Sequence, residues 1–224
     1  MAAIGMILGT VLIYFLMRKI NARFTTPFLL LVLTTPILII ILLSSFSITY
    51  DSYIRGAKRI DAMLGPPVVG LAYPLYSQWP LIKKYKFTIL TSIIAAMFSG
   101  LISILTFAKL LKMEDGLIHS LLPKSITTPV AMQISEAIGG NPALTAVFVI
   151  VAGLTGAMID PVIFKICRIE KQISRGVSIG SAAHGIGVSK LAEYGEQTFS
   201  VGSVAMTLSA VIGAFICPLV ALFI

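Results

Sequence analysis

Charged side chains are scarce in this chain: Asp, Glu, Lys and Arg make up 12% of 224 residues. A soluble domain carries about a quarter, so a globule coated in charge and surrounded by water is excluded. Cysteine occurs twice, as Cys167 and Cys217, with neither a CxxC nor a metal-ligand spacing. That leaves no disulfide framework and no paired-cysteine metal site. There is no P-loop, no dinucleotide fingerprint and no HExxH, so no cofactor, metal or enzymatic activity is expected. Gly/Ser-rich linkers and low-complexity runs are absent too, which points to one domain over 1–224. Acidic residues are few: 9 against 17 Lys and Arg, for a formal net charge of +8. The basic residues stand in short runs between apolar stretches, the pattern of cytoplasmic loops rather than of a nucleic-acid surface.

Apolar residues fill the space that charge leaves. They make up 57% of the chain, and mean hydropathy is +0.98. About 20 apolar residues span the hydrocarbon core as helix. The runs 2–17, 27–49, 63–82, 87–111, 142–167 and 197–224 are candidate spans. Segments 113–140 and 170–195 are apolar but interrupted by polar and small residues. The fold class expected is therefore all-α: a polytopic membrane protein with about six to eight transmembrane segments. The first run precedes Arg18, Lys19 and Arg23, whereas a signal peptide has its charges before the apolar run. An uncleaved helix with an outside N-terminus is expected.

The two interrupted segments correspond at a constant offset of 56. Gly100 aligns with Gly156, Lys109 with Lys165, Lys112 with Arg168, Glu114 with Glu170 and Ser125 with Ser181. The positive-inside rule wants the basic runs 18–23, 83–86 and 165–175 on one side. Lys83–Lys86 and Lys165–Arg175 share a side only if 113–140 enters and leaves on the same face. This favours re-entrant or broken segments and inverted repeat units at approximately 87–140 and 142–195, an architecture of secondary transporters. The alternative is a plain eight-helix bundle in which one loop breaks the charge rule.

Chemistry concentrates at the breaks. The first reads Leu122-Pro-Lys-Ser-Ile-Thr-Thr-Pro129. Thr128 is expected as N-cap and Pro129 as first helical residue. Thr127, Thr128 and the free N–H groups of Val130 and Ala131 would form an anion site beside Lys124. The second reads Gly180-Ser-Ala-Ala-His-Gly-Ile-Gly-Val-Ser-Lys190, with His184 at the position matching Thr128. A histidine can bind a carboxylate or relay a proton, although a lone histidine is more often a satisfied structural group. Glu136, Asp160 and Glu193 lie in apolar surroundings, where acids are costly. Pairing with Lys124 or Lys190 is their first expected role, and proton coupling the second. His119 lies near a membrane edge and says little.

The stretches Leu122-Pro-Lys-Ser-Ile-Thr-Thr-Pro-Val-Ala131, Ser135-Glu-Ala-Ile-Gly-Gly140, Gly180-Ser-Ala-Ala-His-Gly-Ile-Gly187 and Leu64-Gly-Pro-Pro-Val-Val-Gly-Leu-Ala-Tyr-Pro-Leu-Tyr76 resemble the LrgB family of bacterial membrane proteins. The similarity covers nearly the whole chain, more loosely over the first fifty residues. The family often continues HGIG with Thr-Ala, where this chain has Val188-Ser189. That departure moves a hydroxyl by one position.

The resemblance implies a bacterial inner-membrane location and a smaller LrgA-type holin-like partner. It carries two functional stories. One is antiholin-like regulation of murein hydrolases and autolysis; the other is movement of pyruvate, or of glycolate and glycerate in a plastid relative. A hole-former needs little beyond apolar helices that oligomerise. It does not need matched polar breaks. The expected function is thus transport of a small monocarboxylate such as pyruvate, lactate or glycolate, by a chain that forms homo-oligomers in the bilayer. Lys124, Ser125, Thr127, Thr128, Ser181, His184 and Ser189 are the expected substrate contacts. Glu136, Asp160, Lys190 and Glu193 are the candidates for ion pairing or proton coupling.

Overall fold

A computed structural model describes residues 2–23, 31–63, 65–70 and 72–224. Every regular element among them is helical. The chain divides into two compact units, Met1–Pro66 and Pro67–Ile224.

The first unit holds α1 (Ala2–Arg23), α2 (Leu31–Ser45) and α3 (Tyr50–Ala62). The expected short first span with a basic loop after it is corrected here. Helix α1 continues through Arg18 and Lys19 to Arg23, because straight-chain basic residues are good helix formers. The hydroxyls of Thr10 and Tyr53 lie 2.8 Å apart and tie α1 to α3. The start of the expected span 27–49 lies outside the described residues.

The expected span 63–82 is also corrected. It resolves into α4 (Gly65–Gly70), α5 (Ala72–Ser77) and the first turn of α6 (Trp79–Leu111), with Gln78 between the last two. Prolines 66, 67, 74 and 80 withhold backbone donors from any continuous helix there. The basic run Lys83, Lys84, Lys86 lies within α6, beside a non-helical residue, Tyr85.

The second unit continues with α7 (Asp115–Leu121), α8 (Thr128–Ala137), α9 (Pro142–Ile166), α10 (Gln172–Ala182), α11 (His184–Lys190), a single 3-10 turn at Leu191–Tyr194 and α12 (Glu196–Ala221). Among the described residues four helices are long and apolar enough to cross a membrane: Ile4–Arg23, Trp79–Leu111, Pro142–Ile166 and Glu196–Ala221. Helices α6, α9 and α12 leave large apolar side chains exposed, among them Phe98, Val151 and Phe215. A soluble monomer rarely exposes so much apolar surface; lipid covers it here.

Between the long helices the chain makes two helical hairpins. In the first, α7 leads to a turn at 122–127 and α8 runs back. Its mouth closes where Asn141 N–H donates to Ser120 Oγ at 2.7 Å. Beside it the Thr145 hydroxyl donates to the Ser120 carbonyl at 2.9 Å and hydrogen-bonds the Ser135 hydroxyl at 2.7 Å. In the second hairpin, α10 runs in and α11 runs out. Its mouth closes where the Arg175 guanidinium stacks 5.3 Å from both Phe164 and Tyr194 and donates to the Ile169 carbonyl. The first mouth sits at the start of α9 and the second at its end.

Two pairs of unusual backbone angles mark these hairpins. Lys112 and Arg168 are left-handed, with φ of 49° and 52°. Each closes a long helix with the same six-residue bond, Met113 N–H to Ala108 O and Ile169 N–H to Phe164 O. Gly139 and Gly195, with φ of 85° and 103°, end the hairpins; a side chain there would be strained. Residue numbers differ by 56 in both pairs.

Candidate functional site

The first hairpin tip carries Lys124, Ser125, Thr127 and Thr128, all half-buried. Thr127, not Thr128, takes the N-cap position of α8. Its carbonyl accepts from the N–H groups of Val130 (3.1 Å) and Ala131 (2.9 Å). The expectation that those two N–H groups are free is therefore corrected: the helix starts one residue earlier and uses them internally. What remains free is side chain. Among the described residues, the Lys124 ammonium and the hydroxyls of Ser125, Thr127 and Thr128 form no hydrogen bond or ion pair. Four polar side chains without partners, half-removed from solvent, form a cluster of donors with one positive charge.

His184 forms the second tip. It is 2% exposed and has φ of 37°, a region costly for any residue with a Cβ. Its Nε2 lies 2.9 Å from the Val149 carbonyl. That carbonyl only accepts, so Nε2 holds a proton and donates it. The other nitrogen, Nδ1, has no partner among the described residues. Neutral His184 offers an acceptor there; the imidazolium offers a donor. Gly153 makes room for the ring, since a Cβ at that position would lie 2.6 Å from its Cε1. Helix α12 backs both tips: Ile126 of the first lies against Gly213, and Gly180 beside the second lies against Gly202.

The remaining expected contacts distribute unevenly. Ser181 is buried and donates to the Val177 carbonyl at 2.6 Å. Ser189 is exposed and donates to Ile186, away from the tips. Lys190 donates to the Ala157 carbonyl at 3.2 Å and lies within electrostatic range of Asp160. Glu136, at the end of α8, and Glu193, in the 3-10 turn, are exposed near the two hairpin mouths. The structure thus brings Asp160, and neither glutamate, toward Lys190.

One residue escapes sequence reasoning. Ser209 on α12 is 1% exposed and its hydroxyl has no partner. It lies four residues from Ala205, which meets Gly180 near the second tip, and four from Gly213, which meets Ile126 in the first. Residues spaced by four share a helix face, so Ser209 stands between the tips. Its only signal in sequence is a hydroxyl inside a long apolar run.

The LrgB-like family pattern matches residues 10–223. The chain belongs to the LrgB-like family. Its LrgB-like relatives include YxaC of Bacillus subtilis strain 168, 48% identical over 97% of this chain and 95% of that protein. The holin-like protein CidB of Staphylococcus epidermidis is 33% identical, and that of Staphylococcus aureus 31%, each over 98% of this chain and 96% of the relative. No solved structure matches. Four apolar helices and family membership together make this LrgB-like chain a multi-pass bacterial membrane protein.

Proposed function

We propose that the chain is a carrier subunit for small monocarboxylates of the pyruvate, lactate and glycolate class. The observation that supports it most is the unpartnered cluster Lys124, Ser125, Thr127 and Thr128 at the first tip, with buried His184 at the second. Charge-assisted hydrogen bonds from such a set suit a carboxylate. In this reading the two hairpins are inverted repeat units that enter the bilayer from opposite faces, and their relative motion exposes the anion alternately. The matched φ angles 56 residues apart favour common descent of the two units.

His184 supplies the coupling. With Nε2 committed to Val149, only the protonated ring can donate from Nδ1 to a carboxylate. Anion and proton then load together. An LrgA-type protein completes the transporter as partner.

The test is uptake of radiolabelled pyruvate and glycolate into liposomes holding the purified chain, with and without an LrgA-type partner. Saturable uptake, competed by unlabelled carboxylates, is expected. Unselective leakage of neutral solutes in both preparations overturns the reading. The name of the CidB relatives favours a second reading, a holin-like or antiholin-like regulator of autolysis. That role predicts leakage indifferent to solute size, and tolerance of Thr127→Val and Thr128→Val.

A further inference from the structure

A cavity of about 330 Å³ opens between α6 and α10 and runs to the residues just before the second hairpin tip. One wall is Thr88, Ser92 and Ala96, successive turns of α6. The other includes Ser174, Ser178 and Ser181, successive turns of α10. Five hydroxyl-bearing residues stand here among Ala96, Ile173, Val177 and Ala182, and the apolar residues supply most of the lining surface. Ser178 and Ser181 donate to carbonyls of their own helix. The hydroxyls of Thr88, Ser92 and Ser174 have no partner among the described residues.

The two ends of the cavity differ. At its outer end stand Lys83, Lys84 and Lys86 on α6, all exposed, one turn before Thr88. Lys165, Arg168, Lys171 and Arg175 surround the mouth of the second hairpin, from which α10 starts inward. Seven basic residues thus ring the same end, which the positive-inside rule places in the cytoplasm. At its inner end the cavity stops at Ser181 and Ala182, beside His184. On α6 it stops at Ala96, one turn from Gly100, where Ser125 of the first tip lies. One turn past Ala205 on α12 is the unpartnered, buried Ser209. At the opposite face the first hairpin is sealed by the Ser120–Asn141–Thr145 bonds.

We infer that this cavity, with the free hydroxyls of Thr88, Ser92 and Ser174 on its walls, is the cytoplasmic vestibule through which a small carboxylate reaches the hairpin tips, with Lys83, Lys84 and Lys86 concentrating anions at its entrance. The inference rests on the carrier reading for its substrate, and on the cavity's own geometry for its course. The uncommitted hydroxyls of Thr88, Ser92 and Ser174 can each donate to a passing carboxylate in place of water, while lysines at the rim raise the local anion concentration.

The experiment uses the full-length chain in membrane vesicles of both orientations. Cys167 and Cys217 are first replaced by Ser and Ala, then Ser92→Cys or Ser178→Cys is introduced. Thr155→Cys, on the exposed face of α9 with its hydroxyl bonded to Val151, is the lipid-facing control. A membrane-impermeant thiol reagent is expected to modify the Ser92→Cys and Ser178→Cys variants from the cytoplasmic face only, and to leave the Thr155→Cys variant unmodified. Modification is expected to abolish pyruvate uptake, and pyruvate in excess to slow it. Modification that blocks a solute-unselective flux supports the path and removes the carboxylate reading. Saturable pyruvate uptake with both cysteines unreactive, or unchanged after they react, overturns the path and leaves the carrier standing. Unreactive cysteines without any uptake overturn both.

Discussion

At the scale of single residues, His184 carries the sharpest expectation. Its Nε2–H···O=C bond to Val149 fixes the tautomer and leaves Nδ1 as the nitrogen without a partner among the described residues. His184→Gln keeps a donor for Val149 but cannot take up a proton. Carboxylate flux in this variant is expected to fall and to lose its dependence on the pH gradient, measured with pyruvate uptake at several imposed gradients. His184→Ala should weaken flux as well, with membrane insertion intact; wild-type rates in both variants would remove His184 from the site. Gly153→Ala tests the same ring by steric means, because the new methyl would press on Cε1 and on Ile186. Overpacking of this kind typically costs about 1–3 kcal/mol, read as a lower unfolding temperature in detergent. Both breaks were legible in sequence, from Pro123 and Pro129 in one and the glycines around His184 in the other, although Gly180, Gly185 and Gly187 lie inside α10 and α11 and the second turn falls at Ala183 and His184. The role of Gly153 was not: it depends on a ring that arrives from 31 positions further along the chain.

At the scale of elements, the hairpins show why a polar residue in an apolar segment is hard to read alone. Ser120, Ser135, Asn141 and Thr145 are ordinary in sequence, yet their hydrogen bonds close the first hairpin mouth. Thr145 is fully buried, so Thr145→Val removes a donor and strands the Ser120 carbonyl. A stranded buried partner costs about 1–3 kcal/mol. The expected result is a destabilised protein whose hairpin 113–140 exchanges amide hydrogens faster than the second hairpin; equal exchange in both would show that the mouth is held by packing instead. The start of α8 is a smaller lesson. Thr-Thr-Pro admits two capping registers, and the carbonyl of Thr127, rather than a ligand, claims the donors of Val130 and Ala131.

At the scale of the whole second unit, charge orders the ends. The Lys83–Lys86 run and the Lys165–Arg175 run lie at one end of the long helices, with the hairpin of α7 and α8 between α6 and α9. Lys109, Lys112, Glu114 and Asp115 lie at the other. A reporter fused after Lys171 is therefore expected on the cytoplasmic side and one inserted after Asp115 on the opposite side, read with paired alkaline phosphatase and fluorescent-protein fusions. Both on one side would return the bundle to a plain set of crossings. Sequence periodicity alone could not decide this, because both topologies use the same apolar runs and differ only in which mouths close.

Helix α9 puts Thr145, Val149, Gly153 and Ala157 on one face at intervals of four. These meet, in turn, the mouth of the first hairpin, the His184 ring twice, and the Lys190 ammonium. Both hairpins are therefore geared to a single shaft. A substitution on this face of α9 is therefore expected to be felt at the seat of His184 and at the Ser120 bonds together.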